Sequence, residues 1–109
     1  MIGNRFEIVC HASDLSIEKI EKVLSCYDEI EKYAYIFHDK DISKPHCHIY
    51  IDLGGKRLDS KIISIWFGIP LSFISEIKKG TEEDILFYFV HANNQNLFQY
   101  GFSEIHKNF

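Results

Sequence analysis

No apolar run in this chain is long enough to cross a bilayer, and its opening residues, "MIGNRFEIV", carry neither a signal-peptide nor a transit-peptide pattern. Cysteine is scarce. Cys10, Cys26 and Cys47 are odd in number and lack metal-site spacing, which points to free thiols in a reducing cytoplasm rather than to a disulfide framework. Linkers, internal repeats and low-complexity tracts are missing too, so residues 1–109 read as one domain. A hydrophobic content of 46%, rich in Ile, Phe and Tyr, gives that domain a core and excludes a disordered chain.

Excess positive charge is also absent: the net charge is −4, where a generic DNA-binding protein is basic. The acids are unevenly spread. Residues 14–31 hold six of the sixteen acids and only Lys19 and Lys22 among the bases, leaving ten of each sign elsewhere. A bound divalent cation would tip that remainder positive.

The periodicities define an order of elements. "RFEIVCHA" (5–12) reads as a strand, and a helix follows from Ser16, an N-cap residue, to Tyr27. "KYAYIFH" (32–38) and "HCHIYIDL" (46–53) form a β-hairpin around the polar segment "DKDISKP". A second helix covers "DSKIISIWF" (59–67), ended by Gly68 and Pro70, with Trp66 in the core. "SFISEIKK" (72–79) is the next strand. Thr81, with Asp84 three residues on, opens a third helix running to His91 or Ala92, and the tail "NLFQYGFSEI" adds a short fifth strand. This is the split β-α-β order of a ferredoxin-like or RNA-recognition-like α+β fold: an antiparallel sheet of four to five strands, with helices mainly on one face and the other left to a ligand.

What stands out is "FHDKDISKPHCHIYIDL", which puts three of six histidines and three carboxylates into seventeen residues. Alternation along the strand sets His46, His48, Tyr50 and Asp52 on one face, opposite the apolar Cys47, Ile49, Ile51 and Leu53. The hairpin returns His38 and Asp41 towards His46. Two or three imidazoles and a carboxylate suit Mn²⁺, Mg²⁺ or Zn²⁺, whereas a polar exposed face alone needs no such grouping. In "DILFYFVHA", Ile85, Leu86, Phe89 and Val90 make the apolar side of a helix, and Asp84, Tyr88 and His91 a narrow polar one. Tyr88 is a candidate nucleophile towards phosphorus, and His91, at i+3, a candidate base. Lys40, Lys44, Lys56, Arg57, Lys78 and Lys79 are candidate phosphate contacts on loops, and an exposed Tyr50, with Tyr35 or Phe37, would stack on unpaired bases.

"HDKD" before "PHCHIYI", followed about forty residues later by "YFVH", resembles the HUH (His–hydrophobic–His) endonucleases, most closely the rolling-circle replication initiators of small Gram-positive plasmids. The resemblance implies that His46 and His48 are the paired histidines and that His38 and Asp41 complete the metal shell, with Mn²⁺ or Mg²⁺ as cofactor. Tyr88 would be the nucleophile that nicks single-stranded or hairpin-extruded origin DNA, leaving a 3′-hydroxyl and a 5′-phosphotyrosyl link. Viral initiators of this kind carry lysine where this chain has His91, small HUH transposases lack the HDKD block, and relaxases are longer. Plasmid initiators also carry a further oligomerisation or helicase segment. Residues 1–109 are therefore expected to be a nuclease domain, excised or minimal, with any homo-oligomer built through a segment absent here. Two rivals share the features: a non-catalytic single-stranded nucleic-acid-binding module, and a metal-dependent hydrolase in which water replaces Tyr88.

Overall fold

The computed structural model describes residues 1–40 and 44–109. In chain order the elements are β1 (Ile2–Gly3), β2 (Arg5–His11), α1 (Ile17–Cys26), β3 (Lys32–His38), β4 (His46–Asp52), β5 (Leu58–Asp59), α2 (Ser60–Phe67), β6 (Ile74–Glu76), α3 (Glu82–Phe89) and β7 (His106–Lys107). β1 pairs with β5, and the main sheet runs β6-β2-β4-β3-β7, antiparallel throughout. Without the β7 edge this is the strand order of a ferredoxin-like sheet, as the sequence pattern predicts.

Local chemistry places the ends of the helices. Ser16 accepts a hydrogen bond from Lys19 N and starts α1, and Asp59 does the same for α2 through Lys61 N. Gly68, at φ 67°, closes α2 in the left-handed conformation that glycine adopts without a Cβ penalty. Thr81 and Asp84 form a reciprocal capping box on α3.

The β-branched and aromatic residues of the central strands separate onto two faces. Phe6, Ile8, Cys10, Tyr35, Cys47, Ile49 and Ile51 meet α1 and α2, where Trp66 stacks on Tyr27 at 4.3 Å. The opposite face is not open as expected. Ala34, Ile36 and Tyr50 there are covered by Phe89 and Val90 of the α3 segment and by Tyr100 and Ile105 of the tail. Tyr50 is 0% exposed, so the ring expected to stack on bases is a core residue whose hydroxyl donates to Asp52. Tyr35 is buried as well, on the α1 side, and donates to Glu21.

Three boundaries differ from the sequence reading. The strand expected over 72–79 shrinks to Ile74–Glu76, because residues Leu71–Phe73 make a 3₁₀ turn after Pro70. The third helix stops at Phe89, and His91 takes φ 65°. The tail strand forms at His106–Lys107, beyond a 3₁₀ turn over Phe102–Glu104, where Tyr35 pairs with His106.

Candidate metal and nucleophile site

Register brings the histidines together. His38 and His46 are direct cross-strand partners at the end of the β3–β4 hairpin, and Ile36 and Val9 flank His48. Ring centroids are 5.0 Å apart for His38–His46, 4.5 Å for His38–His48 and 5.1 Å for His46–His48. His48, expected with His46 on an exposed face, is only 7% exposed, whereas His46 reaches the surface; His38 is fully buried.

The second nitrogen of each ring is anchored. A carbonyl only accepts, so His38 Nε2 donates to Phe89 O at 2.7 Å and His46 Nδ1 donates to Lys44 O at 2.9 Å. His48 Nδ1 donates to the Glu7 carboxylate at 3.1 Å. In neutral rings the unprotonated atoms are then Nδ1 of His38, Nε2 of His46 and Nε2 of His48. Metal-binding histidines are oriented in this way, the far N–H held by a carbonyl or carboxylate.

Spacing agrees with that reading. His38 Nδ1 and His46 Nε2 are 3.3 Å apart. Two nitrogens bound at about 2.1 Å to one ion, at right or tetrahedral angles, lie roughly 3.0–3.4 Å apart. One ligand atom from each of His38, His46 and His48 lies within 4.8 Å of the other two, a span that a modest side-chain movement closes around one ion. The donor set fits a divalent cation. Asp41, expected to complete the shell, lies outside the described residues.

α3 brings its end to this cluster. The carbonyl of its last residue, Phe89, is one that the helix leaves unpaired, and His38 satisfies it. The residue before it, Tyr88, sets its ring against His48 at 5.5 Å and 89°. Tyr88 is 44% exposed, and no described residue hydrogen-bonds its hydroxyl. Partial burial, and then the charge of Glu7, hold its phenol above the ordinary tyrosine range. His91 does not occupy the helical i+3 position expected of it, because the helix has already ended. Its Nδ1 donates to Phe98 O at 2.9 Å, and its ring packs on His38 at 4.4 Å and on Tyr100 at 5.5 Å.

The six loop cations divide between two ends of the sheet. Lys40 and Lys44 lie at the His46 end, Lys40 bonded to Tyr100 and Glu104. Lys56 and Arg57 follow the Asp52 end of β4, and Lys78 and Lys79 lie between Ile77 and Gly80, which bond Arg5 at that same end. Six residue steps along β4 separate the ends, roughly 20 Å. Asp52 itself serves Tyr50 and Gly54, away from the histidines.

A hollow of about 360 Å³ opens beside His46, lined by Val9, Cys10, His11, Lys44, His46 and Phe73. The sequence reading missed three neighbours of the site: Glu7, which holds His48; Tyr100, stacked on His38 at 4.5 Å; and Phe98, 45% exposed beneath the Lys40 ammonium at 5.5 Å. Strand alternation puts Glu7 on the histidine face, but its pairing with β4 is a long-range fact. Tyr100 and Phe98 lie in a segment that reads as strand.

A curated relative carries the name "Replication protein" in onion yellows phytoplasma (strain OY-M), and it is 36% identical over 121 aligned residues. The chain is similar to a replication protein. The alignment takes in 94% of this chain and 32% of that relative, so the chain spans about a third of the relative's length. No family model matches the chain. Among the described residues, no helix is long and apolar enough to cross a membrane.

Proposed function

We propose that this chain is the nicking domain of a rolling-circle replication initiator of the HUH type, acting on single-stranded or hairpin-extruded origin DNA. The observation that carries the reading is the joint placement of three oriented imidazoles and a half-exposed tyrosine, with Tyr88 against His48 and the adjacent Phe89 bonded to His38. The replication-protein relative supports the biological setting.

His38, His46 and His48, with Asp41, would hold a divalent ion; the nitrogen-rich set suits Mn²⁺ better than the oxygen-seeking Mg²⁺. When bound, that ion supplies Lewis-acid polarisation of the scissile phosphate and offsets charge near the phenol. Tyr88 Oη attacks phosphorus as its proton leaves to solvent or a neighbouring base. The bond from phosphorus to the 3′-oxygen breaks, and that oxygen takes up a proton to give a free 3′-hydroxyl. The 5′-phosphate stays on Tyr88, so attack by a later 3′-hydroxyl restores the phosphodiester and frees the tyrosine. Lys44 and the hollow beside His46 offer the strand a path to the site, with Phe98 as a stacking surface.

The test is covalent capture. The protein is incubated with Mn²⁺ and random single-stranded oligonucleotides, then denatured in detergent. DNA that stays attached to the native chain and not to Tyr88→Phe supports the nucleophile. Cleavage of equal extent in both, with no adduct, would replace Tyr88 by water.

A further inference from the structure

We infer that Glu7 is a positioning residue for His48, fixing its ring and tautomer so that Nε2 is the nitrogen offered to the metal. The inference rests on the metal-site reading above and names a residue outside the histidine block and the tyrosine helix.

Glu7 sits on β2, and its register partner is Tyr50, not His48. Its carboxylate reaches diagonally to His48 Nδ1 at 3.1 Å, the separation at which long side chains on adjacent strands meet. The contact is well shielded, with side-chain exposures of 18% for Glu7 and 8% for His48. A carboxylate drawn from water needs a partner, and among the described residues the ion-pair partner of Glu7 is His48. Its charge also disfavours the Tyr88 phenolate, so its field does not serve to ionise the nucleophile. What Glu7 does is hold an N–H. With Nδ1 committed as donor, a neutral His48 has its lone pair on Nε2. The same constraint fixes the ring against which Tyr88 packs.

His38 and His46 are held by main-chain carbonyls, which no substitution of a single side chain removes. Glu7 is, among the described residues, the carboxylate anchor that mutation can test. In the 109-residue chain, Glu7→Ala is expected to weaken Mn²⁺ binding, followed by calorimetry, roughly 10–100-fold. Glu7→Gln keeps the shape and an accepting oxygen, and should lose less. Nitrogen-detected NMR of the metal-free protein supplies a readout independent of activity. His48 should carry its proton on Nδ1 in the native chain and populate the Nε2–H form in Glu7→Ala.

His48→Ala is the control. If it loses Mn²⁺ while Glu7→Ala binds as the native chain does and keeps the Nδ1–H form, Glu7 positions nothing and the inference is overturned. If His48→Ala itself binds Mn²⁺ normally, the metal reading fails and this inference falls with it.

Discussion

His38 and His46 face each other across the β3–β4 hairpin, Nδ1 to Nε2 at 3.3 Å, while the other nitrogen of each ring donates to a main-chain carbonyl. A divalent cation held by both rings would draw on these two facing nitrogens.

Divalent metal should accordingly stabilise the fold. An ion that binds only the folded chain raises stability by about 2.7 kcal/mol at a hundred times its dissociation constant. Thermal melts are expected to shift upward with Mn²⁺ at lower concentration than with Mg²⁺, and a chelator should reverse the shift. Equal responses to the two ions would speak for oxygen ligands instead.

The three histidines should separate under substitution. His46→Ala removes a partly exposed ring and is expected to lose Mn²⁺ and cleavage with the fold intact. His38→Ala empties a fully buried position and leaves the Phe89 carbonyl without its donor, a cost of about 1–3 kcal/mol. Urea denaturation of the two variants measures the difference.

Tyr88→Phe should abolish the covalent adduct and leave stability within about 0.5 kcal/mol of the native chain, because the hydroxyl of this half-exposed residue has no hydrogen-bond partner among the described residues. Denaturation and adduct capture on the same preparation check both halves.

Stability should fall in alkali. Burial, and then the charge of Asp52, push the Tyr50 phenol up to about 12, against about 10 in an unfolded chain. The unfolded chain releases that proton first, so the contribution is complete below pH 10 and is lost as pH rises towards 12. That difference corresponds to about 2–3 kcal/mol. Tyr35 is raised in the same direction by burial and by Glu21, so Tyr50→Phe is expected to flatten the alkaline slope without abolishing it. Urea midpoints at pH 9 and pH 11 provide the comparison.

The two groups of cations should respond to oligonucleotide length. Lys44→Ala and Phe98→Ala are expected to weaken the binding of short single strands, and Lys44→Ala to reduce its salt dependence. Lys78→Ala and Lys79→Ala, roughly 20 Å away, should matter only once the strand is long enough to cross the sheet. Titrations with oligonucleotides of increasing length resolve the two.

Some of this was legible in single segments. The alternation of "HCHIYID" put His46 and His48 on one face, and the hairpin brought His38 back towards His46, where the structure makes the two direct partners. Ser16, Thr81, Asp84 and Gly68 marked helix ends because caps satisfy backbone groups within a few residues. Such features depend on neighbours close in the chain, so a period or a spacing records them.

Burial and partner choice do not work that way. The same alternation that grouped Tyr50 with the histidines gave no sign that residues 89–105 would fold over it. Tyr50 became core, His38 lost all contact with solvent, and the end of α3 turned His91 away from its helical position. Glu7 met His48 only because β2 lies beside β4, two strands joined by more than thirty intervening residues. The sequence by itself determined which groups are available for chemistry and on which face of a strand they stand. Tertiary structure alone decided which of them are desolvated and what holds each ring in place, since both depend on surfaces brought together from distant parts of the chain.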